Sequence, residues 1–500
     1  MNYGKILLQS RSRWAELLRY AGGCACGLLL KIALSTLFTK LGVSFELGYF
    51  FCHLAVLVEA FCFHYFLTFG RRFESWSKFG HDILSYCAAV AFIKALDYVL
   101  VVIAAAKLRN WFVNNGQSER QVMVFNAAVI LVITILIFVL RYFLYRIVLR
   151  KPDFEYYTGS IRSAAVLHAA DPEIAANAAS GGAVTALLAD LLARGEIDGA
   201  LVAKMEWQCD DPPKGRAVIV RTREELIAAQ GSIYFDFPML TSETVQMIRE
   251  FPGKLAAVLL PCQAGALRKI CARAPEVAAK IRCVIGLFCG HTSQRELLLK
   301  VLAKQGVGPS EVRSYRFRRG AWRGRSYMLL ADGRELSQPS AYYLLYQNLF
   351  ILSARRCLGC FDHFAEAADL SCGDIWNLKY RRSGIKFSMV AARTEVGEKI
   401  LREAVENGAV TAEKVSQEAL FRANSRSVIY HKAVAARARA YRRHGVEITV
   451  PAGAAKPRWN ELLAARIIAK IACADADRML KKPRRLLKFY LYVMKALTSF

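Results

Sequence analysis

The sequence predicts a four-helix transmembrane bundle followed by a cytosolic α/β domain with a largely parallel sheet and a basic amphipathic C-terminal tail. Three observations carry this. Apolar residues make up 55% of the 500 residues, above the roughly 45–50% usual in soluble domains. The apolar excess gathers before residue 141 in four long stretches. Beyond residue 157 the pattern changes to short apolar runs alternating with helical ones. Charge divides as well: 69 Lys+Arg against 41 Asp+Glu give a formal +28, and residues 456–500 alone hold 11 basic and 3 acidic residues, net +8. Disorder, collagen and a small disulfide scaffold are excluded, because the chain has ample apolar material for a core. The expected domains are residues 1–151, 155–445 and 456–500.

The four stretches run over residues 20–39, 47–69, 84–106 and 122–140, each near the ~20 residues that a bilayer crossing needs. The first is not a cleaved signal peptide, because three more follow. Lys5, Arg11, Arg13 and Arg19 precede the first stretch, and Arg71, Arg72 and Lys78 lie between the second and third. Arg141, Arg146, Arg150 and Lys151 follow the fourth. This bias places both ends in the cytoplasm, with the spans in the cell (inner) membrane. Lys31, Glu59, Lys94 and Asp97 fall within the stretches, where a charge costs several kcal/mol and so faces a partner or a polar path. Lys94 and Asp97, three positions apart on one helix, can pair with each other.

In the second part, residues 200–205, 217–220, 255–260 and 283–287 read as strands. Residues 183–194, 224–229, 263–273 and 295–304 read as helices. The cytoplasm keeps thiols reduced, so clustered cysteines there bind metal or catalyse more often than they form disulfides. Cys262 follows one strand and Cys289 the next, which brings both to the carboxyl edge of a parallel sheet, where such sheets bind ligands. Cys357 and Cys360 form a Cys-x-x-Cys. Two thiolates three apart grip one metal centre, and two more from strand ends complete a four-thiolate shell suited to an iron–sulfur cluster or to zinc. Cys372 is a fifth candidate. Arg355 and Arg356, beside the Cys-x-x-Cys, suit a net-negative cluster.

Ser180-Gly181-Gly182 stands directly before the helix at 183. Paired glycines let the backbone approach a ligand, and the helix start offers unpaired N–H groups to a phosphate or a flavin oxygen. Ser180 also suits an ordinary helix cap.

These motifs form an ordered set: Ser180-Gly181-Gly182, Gly231-Ser232, Pro261-Cys262-Gln263, Cys289-Gly290-His291, Cys357-x-x-Cys360 with Asp362, and Gly373-Asp374-x-Trp376. Over roughly residues 155–445 the chain resembles the coenzyme F420 hydrogenase/dehydrogenase beta subunit family. That resemblance implies a flavoprotein with FAD and a 4Fe-4S cluster, passing electrons between cluster, flavin and an organic substrate. It implies Cys262, Cys289, Cys357 and Cys360 as cluster ligands, and Ser180, Gly181, Gly182, Ser232, Gln263 and Asp374 as cofactor contacts. Membrane spans stand where many members carry a ferredoxin-like cysteine set, so a separate ferredoxin-like electron donor is expected. Residues 15–150, with Phe63-His64-Tyr65-Phe66-Leu67-Thr68-Phe69 closing the second stretch, resemble the GtrA-like family, which implies a polyprenyl-phosphate-linked sugar as a partner. His64 replaces that motif's usual asparagine.

The tail interleaves Lys and Arg with Leu486, Leu487, Phe489, Tyr490, Leu491 and Tyr492, a pattern expected to lie on membrane lipid rather than on nucleic acid. The combined expectation is a membrane-tethered iron–sulfur flavoprotein oxidoreductase in cell-surface polysaccharide or glycolipid metabolism. The alternative is a GtrA-like lipid-linked sugar translocation protein whose cytosolic domain is regulatory or scaffolding.

Overall fold

The computed structural model describes residues 13–70, 73, 76–114, 132–133, 135–145, 153–208, 211–320, 324–377, 379–380 and 384–498. The chain divides into two units, Met1–Pro152 and Asp153–Phe500.

In the first unit the expected first stretch lies in helix Arg13–Lys40. The second lies in Phe45–Cys62, which runs on into a π-helical turn, Phe63–Thr68, and the third lies in Trp76–Asn114. The fourth stretch falls largely outside the described residues, with 135–145 helical. Two helices, Ala15–Phe38 and Phe50–Thr68, are long and apolar enough to cross a membrane, so the expected four-span bundle is met only to that extent. The interior is aromatic with polar tips, and some of those tips find partners, although the Tyr20 hydroxyl has none among the described residues. Tyr20 stacks on His64 with centroids 4.8 Å apart. His64 Nδ1 lies 3.1 Å from Thr68 Oγ1, and Tyr142 OH donates to Glu16. Glu59 differs, since both its carboxylate oxygens are buried without a hydrogen-bond partner among the described residues. The side chain of Asp97 lies outside the described ones, so its expected pairing with Lys94 does too.

The second unit is built on an eight-stranded sheet. Its strands are β1 (Ser163–Ala169), β2 (Gly199–Gln208), β3 (Asp211–Val220), β4 (Leu255–Leu259), β5 (Ile281–Leu287), and, in the same sheet, β9 (Leu370–Asp374), β10 (Ser388–Ala392) and β11 (Val410–Val415). The order is β11-β1-β10-β9-β5-β4-β2-β3. Only β2–β4, β4–β5 and β5–β9 pair in parallel; β2–β3, β9–β10, β1–β10 and β1–β11 are antiparallel. The expected largely parallel sheet is therefore a mixed one. One reason is local: β3 returns from β2 as a hairpin, and hairpins pair antiparallel, whereas a parallel join needs a helical crossover such as Pro261–Arg273 between β4 and β5. The other is long-range, since β1 inserts antiparallel between β10 and β11, which lie more than 200 residues later.

Both faces of the central strands are buried, as their unbroken apolar runs require. Ala200, Ala256 and Ile285 meet Leu187 and Leu191 of helix Ala183–Ala193 on one face. Leu201, Ala257 and Val284 meet Ile248 and Leu267 on the other. A second, three-stranded sheet of β6 (Val312–Arg319), β7 (Arg325–Leu330) and β8 (Glu335–Pro339) was not expected. Its alternation is masked because β6 carries arginine on both faces, yet Tyr315 and Phe317 are buried.

The tail is corrected too. Helices Trp459–Ala472, Ala476–Lys481 and Arg484–Leu497 belong to the second unit. Ile468, Leu480, Leu487 and Met494 share a core with Tyr315, Phe317 and Met328. Leu487 and Met494 are seven apart, two helical turns, so one side of the last helix is spent inside the fold.

Candidate functional site

Strands β4 and β5 are adjacent and parallel, so their carboxyl ends deliver Cys262 and Cys289 to one edge. Cys262 stands in the first turn of helix Pro261–Arg273, where Pro261 occupies a position that needs no N–H. Cys289 is fixed just past β5 by exchange with the loop opposite: its N–H donates to His363 O at 3.0 Å, and His363 Nδ1 lies 2.9 Å from Cys289 O. The Cys-x-x-Cys occupies a 3-10 turn, Arg355–Gly359, whose start is pinned by Ala354 N–H donating to Thr292 O.

The four thiols sense one another's charge. Burial pushes Cys289 well above the ordinary thiol value, and Cys357, Cys360 and Cys262 add to it. Cys360 is pushed up to about 11 by burial, with Cys262 adding. Cys262, the most exposed of the four, is raised by burial of its sulfur and by Cys357, against the positive charge of Arg356. Thr292 N–H points at Cys357 Sγ from 3.4 Å. Among the described residues no three metal-ligating side chains stand in a single-ion arrangement. Four thiolates brought to one place suit an iron–sulfur cluster or zinc.

The strongest sign of an anionic centre lies elsewhere in the chain. Arg437, 1% exposed, donates from Nη1 to Cys357 O and Leu358 O, and from Nη2 to Cys360 O and His431 O. Its guanidinium lies over the Tyr430 ring at 4.4 Å. It makes no ion pair among the described residues, and its Nε is buried without a partner. A buried cation without a counter-charge is costly, and four thiolates beside it would supply that negative charge. Arg355 and Arg356, expected in that role, are both exposed, and Arg356 pairs with Asp236. His431 bridges the same loops, with Nδ1 3.2 Å from Cys360 O and Nε2 2.8 Å from Gly290 O. Burial, His363 and Arg437 hold its pKa well below the ordinary imidazole value. His291 is buried, held down to about 4, and stacked on Phe350 at 4.1 Å. Cys372 is not part of the group: it sits inside β9 in the apolar core, raised to about 12 by burial alone.

Ser180, Gly181 and Gly182 lie at a second place. Ser180 Oγ donates to Phe387 O at 2.8 Å, and Gly181 N–H to Ser388 Oγ at 2.9 Å. A Cβ on Gly181 would run into the backbone of Leu167 and Ser388, and Gly182 has φ +77°. The fold therefore requires both glycines before any ligand is considered. Basic groups gather at this loop. Arg318 donates to Ala179 O and, through both terminal nitrogens, to Asp374. Lys386 donates to Ala178 O, and burial followed by the charges of Arg318 and Arg319 brings its pKa down to about 8. Asp374 is thereby bound to Arg318. Burial raises its carboxyl, and the charge and hydrogen bonds of Arg318, with Ser180, hold it below the ordinary value. Gln263 spends its Oε1 on Leu260 N–H at 2.9 Å, and Ser232 is half-buried beside the open turn at Gly231. The cysteines are thus brought together by the fold, whereas the six expected cofactor contacts divide between the Ser-Gly-Gly loop and the strand-end loops.

Asp374→Asn is expected to lower stability by about 3–5 kcal/mol, because it leaves the buried Arg318 cation unpaired. Thermal unfolding at neutral pH measures it. The depressed Asp374 carboxyl contributes stability that is complete above its unfolded value near 3.9 and is lost as pH falls through the lower folded value, so wild type and variant should converge in acid.

Sequence reasoning missed Arg437, His431, Arg318 and Thr292. Arg437 lies 80 residues from Cys357 in an alanine-rich helix, Val434–Arg442, and spacing gives no cue to it. Arg318 stands between Phe317 and Arg319 on β6, so the local pattern gives no cue to it either.

Residues 164–242 match the coenzyme F420 hydrogenase/dehydrogenase beta subunit N-terminal domain, and residues 253–418 match its C-terminal domain. An uncharacterized protein of Methanocaldococcus jannaschii is 28% identical over 252 residues, 49% of this chain and 64% of that protein. The coenzyme F420 hydrogenase subunit beta of Methanothermobacter thermautotrophicus is 28% identical over 268 residues, 50% of this chain and 83% of that protein. A chain in a solved structure of the F420-reducing [NiFe] hydrogenase complex from Methanosarcina barkeri is 23% identical with a TM-score of 0.46, covering 59% of this chain and 98% of that one. The C-terminal match, residues 253–418, holds all four of the converging cysteines, Cys262, Cys289, Cys357 and Cys360.

Proposed function

We propose that the chain is a membrane-tethered iron–sulfur flavoprotein oxidoreductase passing electrons between a 4Fe-4S cluster, FAD and an organic substrate, in cell-surface polysaccharide or glycolipid metabolism. The observation that carries the redox reading is the convergence of Cys262, Cys289, Cys357 and Cys360 on loops held by a buried guanidinium without a carboxylate partner. When bound, the cluster supplies one-electron transfer and the flavin couples it to a two-electron change in the substrate.

The chain's own residues position and screen. Arg437 and His431 clamp the Cys-x-x-Cys loop to the segment after β5, and Thr292 N–H directs a hydrogen bond at Cys357. Tyr430 and Phe350, with rings 4.6 Å apart, exclude water from that side. Cys262, the most exposed ligand, marks the edge that a ferredoxin-like donor would approach. The FAD reading is supported by the helix start behind Ser180–Gly182 and by Arg318, Arg319 and Lys386 around it, since a dinucleotide carries a pyrophosphate. The membrane reading is supported by the two long apolar helices of the first unit, and the polysaccharide reading by the GtrA-like motif at Phe63–Phe69.

Anaerobic purification with joint assay of iron, acid-labile sulfide and flavin tests this. About four iron and four sulfide per chain, with a yellow-brown colour from bound FAD, are expected. A colourless protein holding zinc or no metal would sink the redox reading and leave sugar-lipid translocation by the first unit as the activity to test.

A further inference from the structure

We propose that the outer side of helices Trp459–Ala472 and Arg484–Leu497 is a docking face for an anionic lipid surface. The proposal rests on the membrane-tethered reading above. Both helices spend one stripe on the core, Ala465, Ile468 and Ala469 from the first and Leu487 and Met494 from the second. The start of the first meets the end of the second, where Asn460 Nδ2 donates to Leu497 O at 2.8 Å.

What remains outside is ordered by helical spacing. On the first helix Trp459, Leu463, Arg466 and Lys470 are exposed at i, i+4, i+7 and i+11, one continuous stripe. On the second, Arg485, Lys488, Phe489 and Tyr492 are exposed at i, i+3, i+4 and i+7. Trp459 is 74% exposed, Phe489 61% and Tyr492 64%, and large aromatics so exposed on two packed helices mark a contact surface. No acidic residue follows Asp477, while residues 478–495 hold seven Lys and Arg. Arg466, Lys470, Arg485 and Lys488 make no ion pair among the described residues. Other basic groups nearby are used by the fold: Lys300 pairs with Asp477, and Arg484 lies over the Tyr342 ring at 4.1 Å.

Aromatic rings that settle at the headgroup level, flanked by unpaired cations, match the chemistry of an anionic bilayer surface. The point of chain entry argues the same way. The chain enters this unit at Asp153, and the face begins beside that entry, where Arg458 Nη2 donates to Tyr157 OH at 2.9 Å and Ala455 N–H to Tyr156 OH at 3.0 Å.

The test uses the full chain in phosphatidylcholine nanodiscs with and without phosphatidylglycerol, reading amide hydrogen exchange over residues 484–497. Slower exchange in the anionic discs, reversed by high salt, is expected. The Arg485→Glu, Lys488→Glu double variant should lose that protection, equivalent to weakening surface affinity on the order of a hundredfold, and Phe489→Ser should reduce it. Identical exchange in both lipids with the protein still anchored would overturn the docking face. Equal protection by heparin in uncharged discs would do so too, assigning the face to an acidic macromolecule. Anchoring is read separately, as resistance to carbonate extraction. A protein that fails it overturns the tether reading, and salt-sensitive sedimentation with free anionic vesicles then decides the face alone.

Discussion

Arg437→Met is expected to cost the second unit about 3–5 kcal/mol and to prevent a stable cluster from assembling. The guanidinium satisfies the carbonyls of Cys357, Leu358, Cys360 and His431 at once. A thioether satisfies none, and each buried acceptor left alone costs about 1–3 kcal/mol. The substitution also removes the only cation buried against the Cys-x-x-Cys among the described residues, the kind of loss that makes a broken buried pair so expensive. Denaturant unfolding and iron content measure the two effects. Arg437→Gln keeps some donors and separates charge from structure. Where it still assembles a cluster, the reduction potential should fall by on the order of 100 mV, since a nearby charge at an effective dielectric of about 20 is worth a few kcal/mol. An unchanged potential in an intact Gln variant would show that Arg437 acts through its hydrogen bonds alone. Neutralising Arg356 should shift the potential less, because that side chain is exposed and already paired with Asp236.

The second large effect is a contrast between two cysteines that look alike in the sequence. Cys289→Ser should abolish bound iron and visible absorbance, because a hydroxyl is a poor substitute for a thiolate in a four-thiolate shell. Cys372→Ser should leave iron content near that of the wild type while lowering stability by about 1–3 kcal/mol, the cost of a hydroxyl in an apolar core. Both sit at the carboxyl side of neighbouring strands, but Cys289 lies past the end of β5 and Cys372 within β9. Loss of iron from the Cys372 variant at full folding would move it into the ligand set.

The sequence by itself determined the elements and their chemistry. Apolar runs at 255–260 and 283–287 became parallel neighbours within a residue or two of expectation, because a strand buried on both faces has little other use for such a run. The strand pattern put Cys262 and Cys289 at one sheet edge, whereas their approach to Cys357 and Cys360 depended on the fold. Two of the long apolar stretches, 20–39 and 47–69, fell in helices of the length that the pattern implied. Tertiary structure decided what depends on distant pairing. Whether the sheet was parallel rested on the long-range insertion of β1 between β10 and β11 as well as on the β2–β3 hairpin, and the arginine-rich strand β6 showed no clear alternation until Tyr315 and Phe317 found their core. The buried cation beside the thiols proved to be Arg437, in addition to the exposed Arg356 that acts on Cys262 and Cys289, because a guanidinium is buried only where several carbonyls converge, and that convergence joins segments 80 residues apart. The last helix carried more apolar residues than one stripe could hold. Only packing against helices Trp459–Ala472 and Ala341–Gln347 settled that Leu487 and Met494 turn inward while Phe489 and Tyr492 stay outside.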